Sequence, residues 1–190
     1  DEMQVAIEAV TAQSKAKKSL GLALEIADDP CWVLLSASGM MGRTPGKPIR
    51  EALVDPGKRF KHDVFTSIVP TTARGEIGAV TSAGRMVRLS VMDIAVLDEN
   101  GGTPSMTSAV KAAELVQLAK GEKLVALVPL NTVLALATAG GVIKRLNPDY
   151  PLNQTEWDIM KLKDGDEIVA AAPCPTDDAV LTFVTRDAKL

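Results

Sequence analysis

The 190-residue sequence is poor in the residue types that most catalytic and metal sites use. It has one histidine, His62, and two cysteines, Cys31 and Cys174, which lie far apart. A structural zinc site needs four nitrogen or sulfur ligands, so this set excludes one. A Ser-His-Asp site would have to use His62, which lies in a Lys/Arg-rich stretch without a nucleophile motif. The sequence therefore predicts no catalytic residue, no metal ligand and no cofactor for this chain.

Aromatic residues and long apolar runs are also scarce. Aromatic side chains make up 3% of the chain, too few for the stacking platforms that bind single-stranded nucleic acid. No apolar run approaches the roughly 20 residues of a membrane-spanning helix, and the first residues have no signal-peptide pattern. We therefore expect a cytoplasmic protein without a membrane partner. Its two cysteines are expected to be buried free thiols rather than a disulfide.

Two kinds of sequence that imitate ligand sites are better explained as turns. The run GRTPGKP at residues 42–48 has three residues rather than four between its glycines, and Pro48 replaces the Ser or Thr that would hold magnesium. Acidic clusters at residues 28–29, 164–167 and 177–178 fall between strand-like runs. Aspartate is favoured there because its side chain bonds the backbone of a turn. We predict turns at both kinds of sequence.

A hairpin pattern recurs along the chain. It has a hydroxyl residue, a glycine three residues later and an arginine seven residues after the hydroxyl. Such a turn tends to need a residue with positive φ, and a glycine such as Gly84 can supply it. The three complete copies are Ser36/Gly39/Arg43, Thr81/Gly84/Arg88 and Thr138/Gly141/Arg145. A fourth copy begins at Thr185 but has Ala188 in place of the glycine.

A second pattern repeats at an offset of 44 residues. Residues 115–126, LVQLAKGEKLVA, match residues 159–170, IMKLKDGDEIVA, and Pro129 and Pro173 follow at the same offset. Pro70 has the same place in the unit before. Repeats of 40 to 50 residues built from short strands are typical of propeller-like arrays. Residues 98–108, rich in Gly, Ser and Thr, are expected to form a surface loop.

We therefore predict an all-β, β-pinwheel or propeller-like array of about four blades, in a ring that need not close. A connector at residues 1–20 precedes the array at residues 21–190, and the pattern of the connector fits a helix or a strand. The predicted blades span residues 21–62, 63–112, 113–157 and 158–190. Trp32 and Trp157 are expected to pack in the core or between blades.

The net charge of −3 conceals an uneven distribution. Residues 43–88 contain nine basic and four acidic residues, whereas residues 151–190 contain four basic and eight acidic ones. Duplex DNA is bound by Lys and Arg placed along the phosphate path. The arginines of the hairpin pattern could face DNA or brace neighbouring blades. The candidate DNA-binding residues are Arg43, Lys47, Arg50, Lys58, Arg59, Lys61, Arg74, Arg85, Arg88, Lys144 and Arg145.

Two stretches of the sequence resemble a known family. RMVRLSVMDIAVLDENGGTP, with the later AAELVQLAKGEKLVALVPL, resembles the C-terminal β-pinwheel domain of bacterial type IIA topoisomerase A subunits. KHDVFTSIVPTTARGEIGAVTSAGR and GGVIKRLNPDYPLNQTEWDIMKLKDGDEIVAA are closer to topoisomerase IV than to DNA gyrase. The resemblance covers about residues 22–190. Gyrase A subunits carry a box reading QRRGGKG, and the matching residues 44–62 lack it.

This resemblance implies a non-catalytic DNA-binding domain of an ATP-dependent isomerase. Basic residues on the rim of such domains hold a bent duplex beside the cleavage core. The implied partners are double-stranded DNA, the rest of the A subunit and the ATPase B subunit, with ATP and magnesium used by the holoenzyme. Tyr150 lies in a turn sequence, NPDYP, and the tyrosine that cleaves DNA belongs to another domain. The alternatives are a gyrase A wrapping domain without a recognisable box and a propeller-like scaffold that binds protein.

Overall fold

The computed structural model describes residues 27–46, 64–100 and 103–182. The predicted connector at residues 1–20 and most of the incomplete fourth hairpin lie outside these ranges. Within them the chain forms thirteen strands and one short helix, which confirms the all-β prediction. The elements are β1 Pro30–Ser36, β2 Met40–Arg43, β3 Phe65–Thr72, β4 Glu76–Thr81, β5 Arg85–Ser90, β6 Asp98–Asn100, β7 Thr103–Ser105, β8 Val110–Lys111, α1 Ala112–Val116, β9 Leu124–Pro129, β10 Leu134–Thr138, β11 Ile143–Leu146, β12 Glu156–Asp158 and β13 Ile168–Pro173.

The strands form three sheets and one ribbon, and the sheets do not close into a barrel. The strand orders are β3-β1-β2-β8 in the first sheet, β12-β5-β4-β9 in the second and β11-β10-β13 in the third. Strands β6 and β7 form the ribbon. All pairs within the sheets are antiparallel. Each sheet contains one copy of the repeated hairpin, at the centre of the first two sheets and at one edge of the third.

The hairpin turns have the same geometry in all three copies. Gly39, Gly84 and Gly141 have φ values of 78°, 88° and 82°, a region that glycine enters without strain. The N–H of each glycine donates to the carbonyl of the hydroxyl residue three positions earlier, at 2.9, 3.2 and 3.0 Å. The sequence repeat thus corresponds to a repeated turn.

Each hairpin pairs with the first strand of the following unit. β1 pairs with β3, β4 with β9 and β10 with β13. The prolines of the repeat occupy one register position, where Pro70, Pro129 and Pro173 lie opposite Trp32, Ile77 and Leu134. These prolines lie on edge strands, where a missing N–H is tolerated. The predicted blade limits after residues 62 and 112 therefore fall between strands of one sheet, and the blade bounds stay predictions.

A fourth strand covers the second strand of the first two hairpins. β8 pairs with β2 and β12 pairs with β5, and both come from farther along the chain. We call β8 and β12 the strap strands. Val110 lies opposite Met41 and Trp157 lies opposite Met86, so both straps cover the position five residues after the hydroxyl. Each strap comes after the next hairpin in the chain, so the straps also join consecutive units.

The middle sheet is buried on both faces. Along β4, Ile77 and Ala79 belong to a core cluster shared with the first sheet, whereas Val80 belongs to a cluster shared with the third. Successive side chains of a strand point to opposite faces, so one strand supplies two cores. Gly78 is required by this packing, because a Cβ there would lie 2.8 Å from the Sδ atom of Met86.

One detail differs from the sequence prediction, and one element was not predicted. Residues 98–108 were expected to form a surface loop, but β6 and β7 pair there and Met106 is buried with Leu34 and Leu97. The sequence made no prediction for helix α1, which ends at the second residue of the first opening pattern and has no equivalent at the second. The helix begins with Ala112 and Ala113, which favour helix formation. At the start of the second copy, the N–H groups of Ile159 and Met160 bond the carbonyl of Gly84.

The turn glycines provide a matched test of this packing. We expect Gly84→Ala to lower the free energy of unfolding by at least about 2 kcal/mol more than Gly141→Ala does. Both glycines have positive φ, but a Cβ at Gly84 would lie 2.2 Å from the carbonyl oxygen of Met160, whereas nothing lies within 4 Å of one at Gly141. Urea unfolding monitored by tryptophan fluorescence measures both. Equal losses of stability in the two variants would show that the carbonyl of Met160 does not restrict the turn at Gly84.

Candidate nucleic-acid interface

Six of the predicted DNA-binding residues lie in the described part of the chain, and they lie on three different sheets or their turns. These are Arg43, Arg74, Arg85, Arg88, Lys144 and Arg145. The other five, Lys47, Arg50, Lys58, Arg59 and Lys61, lie outside the described residues. The contacts of the first group decide how much of their charge is available to a ligand.

Arg85 is held by acceptors from three segments. Its Nε and Nη2 atoms donate to the two carboxylate oxygens of Glu122 at 2.7 and 2.8 Å, and Nη2 also donates to the carbonyl of Gln117 at 3.0 Å. Its Nη1 atom pairs with Glu156 on the strap. This fork arrangement is the strongest form of the arginine–carboxylate pair. Glu122 belongs to the repeated opening pattern, so the pair joins one hairpin to the start of the next unit.

The Arg85–Glu122 pair is nearly removed from water. The side chain of Glu122 is 3% exposed and that of Arg85 is 20% exposed. The pKa of Glu122 is lowered to about 2, mainly because Arg85 donates hydrogen bonds to its carboxylate. Burial of the carboxylate acts in the opposite direction and raises the pKa. The N–H of Ala119 also donates to this carboxylate, at 2.8 Å. The carboxylate in turn raises the pKa of Arg85.

Arg88 braces the middle hairpin against the connection that follows β11. Its guanidinium pairs with Glu76 at 3.0 Å and donates to the carbonyl of Pro151 at 2.8 Å. It also lies over the ring of Trp157, 5.4 Å from the ring centroid. That ring contacts Tyr150, with 5.3 Å between centroids. Trp157 and Tyr150 both pack against a buried core cluster, as predicted for the tryptophan.

The equivalent arginines in the other hairpins are engaged as well. Arg43 donates through Nε to the carbonyl of Ile94 at 3.1 Å, and Arg145 pairs with Asp177 at 2.5 Å. Lys144 donates to the carbonyl of Ile159 at 2.6 Å. Arg74 is exposed in the turn between β3 and β4. The sequence left two roles open for the recurrent arginines, and the contacts found are those of braces between units. Their contact with DNA stays a prediction.

Several exposed lysines were not among the sequence candidates. Four of them form no ion pair within the described ranges: Lys111, Lys120, Lys161 and Lys163. For Lys120, Lys161 and Lys163, the signal that could have found them is their place at polar positions of the opening pattern. A count of net charge along the chain does not reveal these lysines, because acidic neighbours such as Asp158, Asp164 and Glu122 cancel their charge.

In two of the three acidic clusters a carboxylate accepts from a backbone N–H of a distant segment. Asp28 accepts from the N–H of Arg74 at 2.9 Å, and Asp166 accepts from the N–H of Gly140 at 2.8 Å. The bond from Gly140 is the first cause that lowers the pKa of Asp166. Cys31 and Cys174 are buried free thiols.

The described residues offer neither a metal cluster nor a membrane-spanning element. Within residues 27–46, 64–100 and 103–182, no three His, Cys, Asp or Glu side chains are grouped so as to hold a metal ion. In the same ranges no helix has the length and apolar character needed to cross a bilayer.

Solved structures of the same architecture identify the fold as a β-pinwheel. The C-terminal domain of DNA topoisomerase IV superimposes with a TM-score of 0.59 and 15% identity, over 78% of this chain and 47% of that one. The E. coli ParC C-terminal domain gives 0.55 and 16%, over 76% and 56%. The chain therefore spans about half the length of the solved structures it matches. Neither a protein-family model nor a curated protein matches the sequence. The predicted pinwheel fold is confirmed.

We expect Glu122→Gln to lower the free energy of unfolding by roughly 3 kcal/mol near pH 7. The folded-state pKa of Glu122 is lowered to about 2 from its usual 4.5. Its contribution is therefore complete above about pH 4.5 and is lost as the pH falls towards 2. The difference between the parent chain and the variant should shrink to within about 1 kcal/mol near pH 2. Urea unfolding at a series of pH values measures it.

Glu156→Gln is the matched control, because Glu156 binds the same guanidinium with a side chain that is 61% exposed. We expect a loss below about 1 kcal/mol, as for exposed ion pairs. A difference for Glu122→Gln that does not change with pH would contradict the ion-pair explanation.

Proposed function

We propose that this chain is a non-catalytic DNA-binding domain of a topoisomerase IV-type A subunit. The observation that carries the proposal is the fold, which matches the C-terminal domain of DNA topoisomerase IV. The sequence resemblance over residues 22–190 supports it independently. The domain would hold a duplex beside the catalytic core, and the rest of the A subunit, the ATPase subunit, ATP and magnesium would supply the reaction. Its location would be the bacterial cytoplasm, on the chromosome.

We assign the main phosphate contacts to Lys47, Arg50, Lys58, Arg59 and Lys61. Binding to phosphates is driven by release of counterions from cations that are free to replace them. Four described arginines already have carboxylate or carbonyl partners that a phosphate would have to displace: Arg43, Arg85, Arg88 and Arg145. Arg74 is engaged as well. We therefore give Arg43, Arg74, Arg85, Arg88, Lys144 and Arg145 a secondary role in the path of the DNA.

The recognition would be of phosphate position and duplex shape rather than of base sequence. Base reading needs side chains that reach into a groove, whereas phosphate contacts fix orientation without reading sequence. The aromatic content of the chain is too low for base stacking along a single strand. We therefore expect similar affinity for duplexes of unrelated sequence and weaker binding of single strands.

Charge reversal at Lys58, Arg59 and Lys61 tests this assignment. In a gel-shift series with a linear duplex, we expect Lys58→Glu, Arg59→Glu and Lys61→Glu together to weaken binding at low salt at least tenfold. Because each lost phosphate contact removes about one unit of salt dependence, the slope of log K against log salt should fall by about 3.

The triple variant Lys120→Glu, Lys161→Glu and Lys163→Glu is the control for net charge, since it changes the total charge by the same amount. It should keep most of the affinity and the slope, because acidic residues neighbour these lysines. Equal losses in both variants would mean that total charge, and not the 44–62 segment, governs binding.

A protein-binding scaffold is the second candidate function. It is favoured by the ion pairs of Arg85, Arg88 and Arg145, and by the acidic excess of residues 151–190. The same gel-shift series separates the two functions. Duplex binding that is absent at low salt, or that does not weaken as salt rises, would favour the scaffold over the DNA-binding domain.

A minicircle ligation experiment separates the two topoisomerase types. We expect ligation of nicked minicircles with this chain to leave the linking number unchanged, because residues 44–62 lack the box that gyrase-type wrapping needs. A shift in linking number of constant sign would assign the chain to the gyrase type.

A further inference from the structure

Among the described residues, the third sheet has no strap strand like those of the first two sheets. In the described part of the chain its order is β11-β10-β13, which leaves β11 at an edge. Its counterparts are not edges, since β2 is covered by β8 and β5 by β12. The three hairpins have the same turn and the same pairing with the next unit, so the difference is confined to this edge.

Side-chain burial marks what a strap would cover. The residue five positions after the hydroxyl is Met41 in the first hairpin and Met86 in the second, and both are 0% exposed. The equivalent residue in the third hairpin is Ile143, which is 52% exposed. Val142 beside it is 42% exposed. An apolar position that is buried in two sheets is thus open to solvent in the third.

The backbone groups that receive a strap are also repeated. The N–H of Arg88 donates at 2.7 Å to the carbonyl of Thr155, the residue before strap β12, whereas the N–H of Arg43 donates at 2.8 Å to Ala95, which lies outside strap β8. The carbonyls of the turn glycines accept from the residue that follows the strap, Gly39 from Ala112 at 2.9 Å and Gly84 from Ile159 at 2.8 Å. By the repeat, the N–H of Arg145 and the carbonyl of Gly141 are the equivalent groups on the third hairpin.

We propose that the outer edge of β11 is an acceptor site for an acidic strap strand of a further repeat unit, bound antiparallel to Ile143–Leu146. The occupant would place an apolar residue opposite Ile143, as Trp157 lies opposite Met86. This is strand addition to a sheet edge, in which backbone hydrogen bonds give affinity and alternate side chains give specificity. The inference does not depend on DNA binding.

The acidic character of the proposed strap strand follows from the positive charge on the outer edge of β11. β11 carries two exposed cations, Lys144, whose side chain donates only to a carbonyl within the described ranges, and Arg145, which also pairs with the exposed Asp177. The strap on β5, the other arginine-rich strand, reads Glu156-Trp157-Asp158, and its Glu156 pairs with Arg85. Opposite charges on neighbouring strands stabilise a pairing, and like charges weaken it. A strap of alternating acidic and apolar residues therefore fits this edge, and a basic one does not.

A peptide copied from this chain provides the probe. Fluorescein-labelled NQTEWDIMKLK, residues 153–163, is titrated with the 190-residue protein and followed by fluorescence anisotropy. We expect saturable binding, and we expect Ile143→Asp and Arg145→Pro each to weaken it at least tenfold. The proline removes only the outward N–H, which an edge strand tolerates. Val169→Asp, at a residue 50% exposed on β13 in the same sheet, is the matched control and should leave affinity unchanged.

Three outcomes would overturn the proposal. The first is the absence of saturable binding at millimolar peptide when circular dichroism shows the parent chain folded. The second is equal affinity for a peptide in which KWK replaces EWD, since the edge would then have no preference for acids. The third is a concentration-dependent dimer in sedimentation that Ile143→Asp converts to monomer, which would make a second copy the occupant. Amide exchange gives an independent readout, because bound peptide should slow exchange at Ile143 and Arg145 and leave Val169 unchanged.

Discussion

The pairing of each hairpin with the first strand of the following unit is the constraint on which the rest of this structure depends. A hairpin alone is marginally stable in water, and here β1–β2, β4–β5 and β10–β11 each acquire a third strand from the next unit. The exchange fixes the order of the sheets, because each connection must lead from one sheet into its neighbour. It also lets the middle sheet bury both faces. The units are therefore not independent modules placed side by side, and loss of one hairpin would expose a face of the next.

Local patterns in the sequence predicted the turns, but they did not predict the contacts between residues that are distant in the chain. The spacing of Thr81, Gly84 and Arg88 is sufficient to predict a turn, since the positive φ and the return bond are decided within four residues. The Arg85–Glu122 pair joins residues that are 37 positions apart in the chain. No local pattern distinguishes Glu122 from the other acidic residues of the opening pattern. The strand exchange is a contact of the same kind. The repeated prolines were a sign of it, because proline at one register position of successive units indicates edge strands.

The error at residues 98–108 has a physical reason. Residues 98–108 have the composition of a loop. Burial of Met106 against Leu34 and Leu97 nevertheless stabilises the ordered ribbon. Composition reports only local preference, and tertiary packing decides the outcome. Helix α1, which the sequence analysis did not predict, begins at two alanines just before the first opening pattern.

The use of arginine as a brace limits where a polyanion can bind. A guanidinium that satisfies two carboxylate oxygens, as Arg85 does with Glu122, contributes almost no net charge at a distance. To bind a phosphate it would leave behind a nearly buried carboxylate, and breaking such a pair costs several kcal/mol. Exposed cations without such partners bind phosphate at no such cost. A pinwheel that fastens its units with arginine–carboxylate pairs must therefore bind DNA with other cations. In this sequence the basic excess beyond the hairpin arginines is concentrated in residues 44–62.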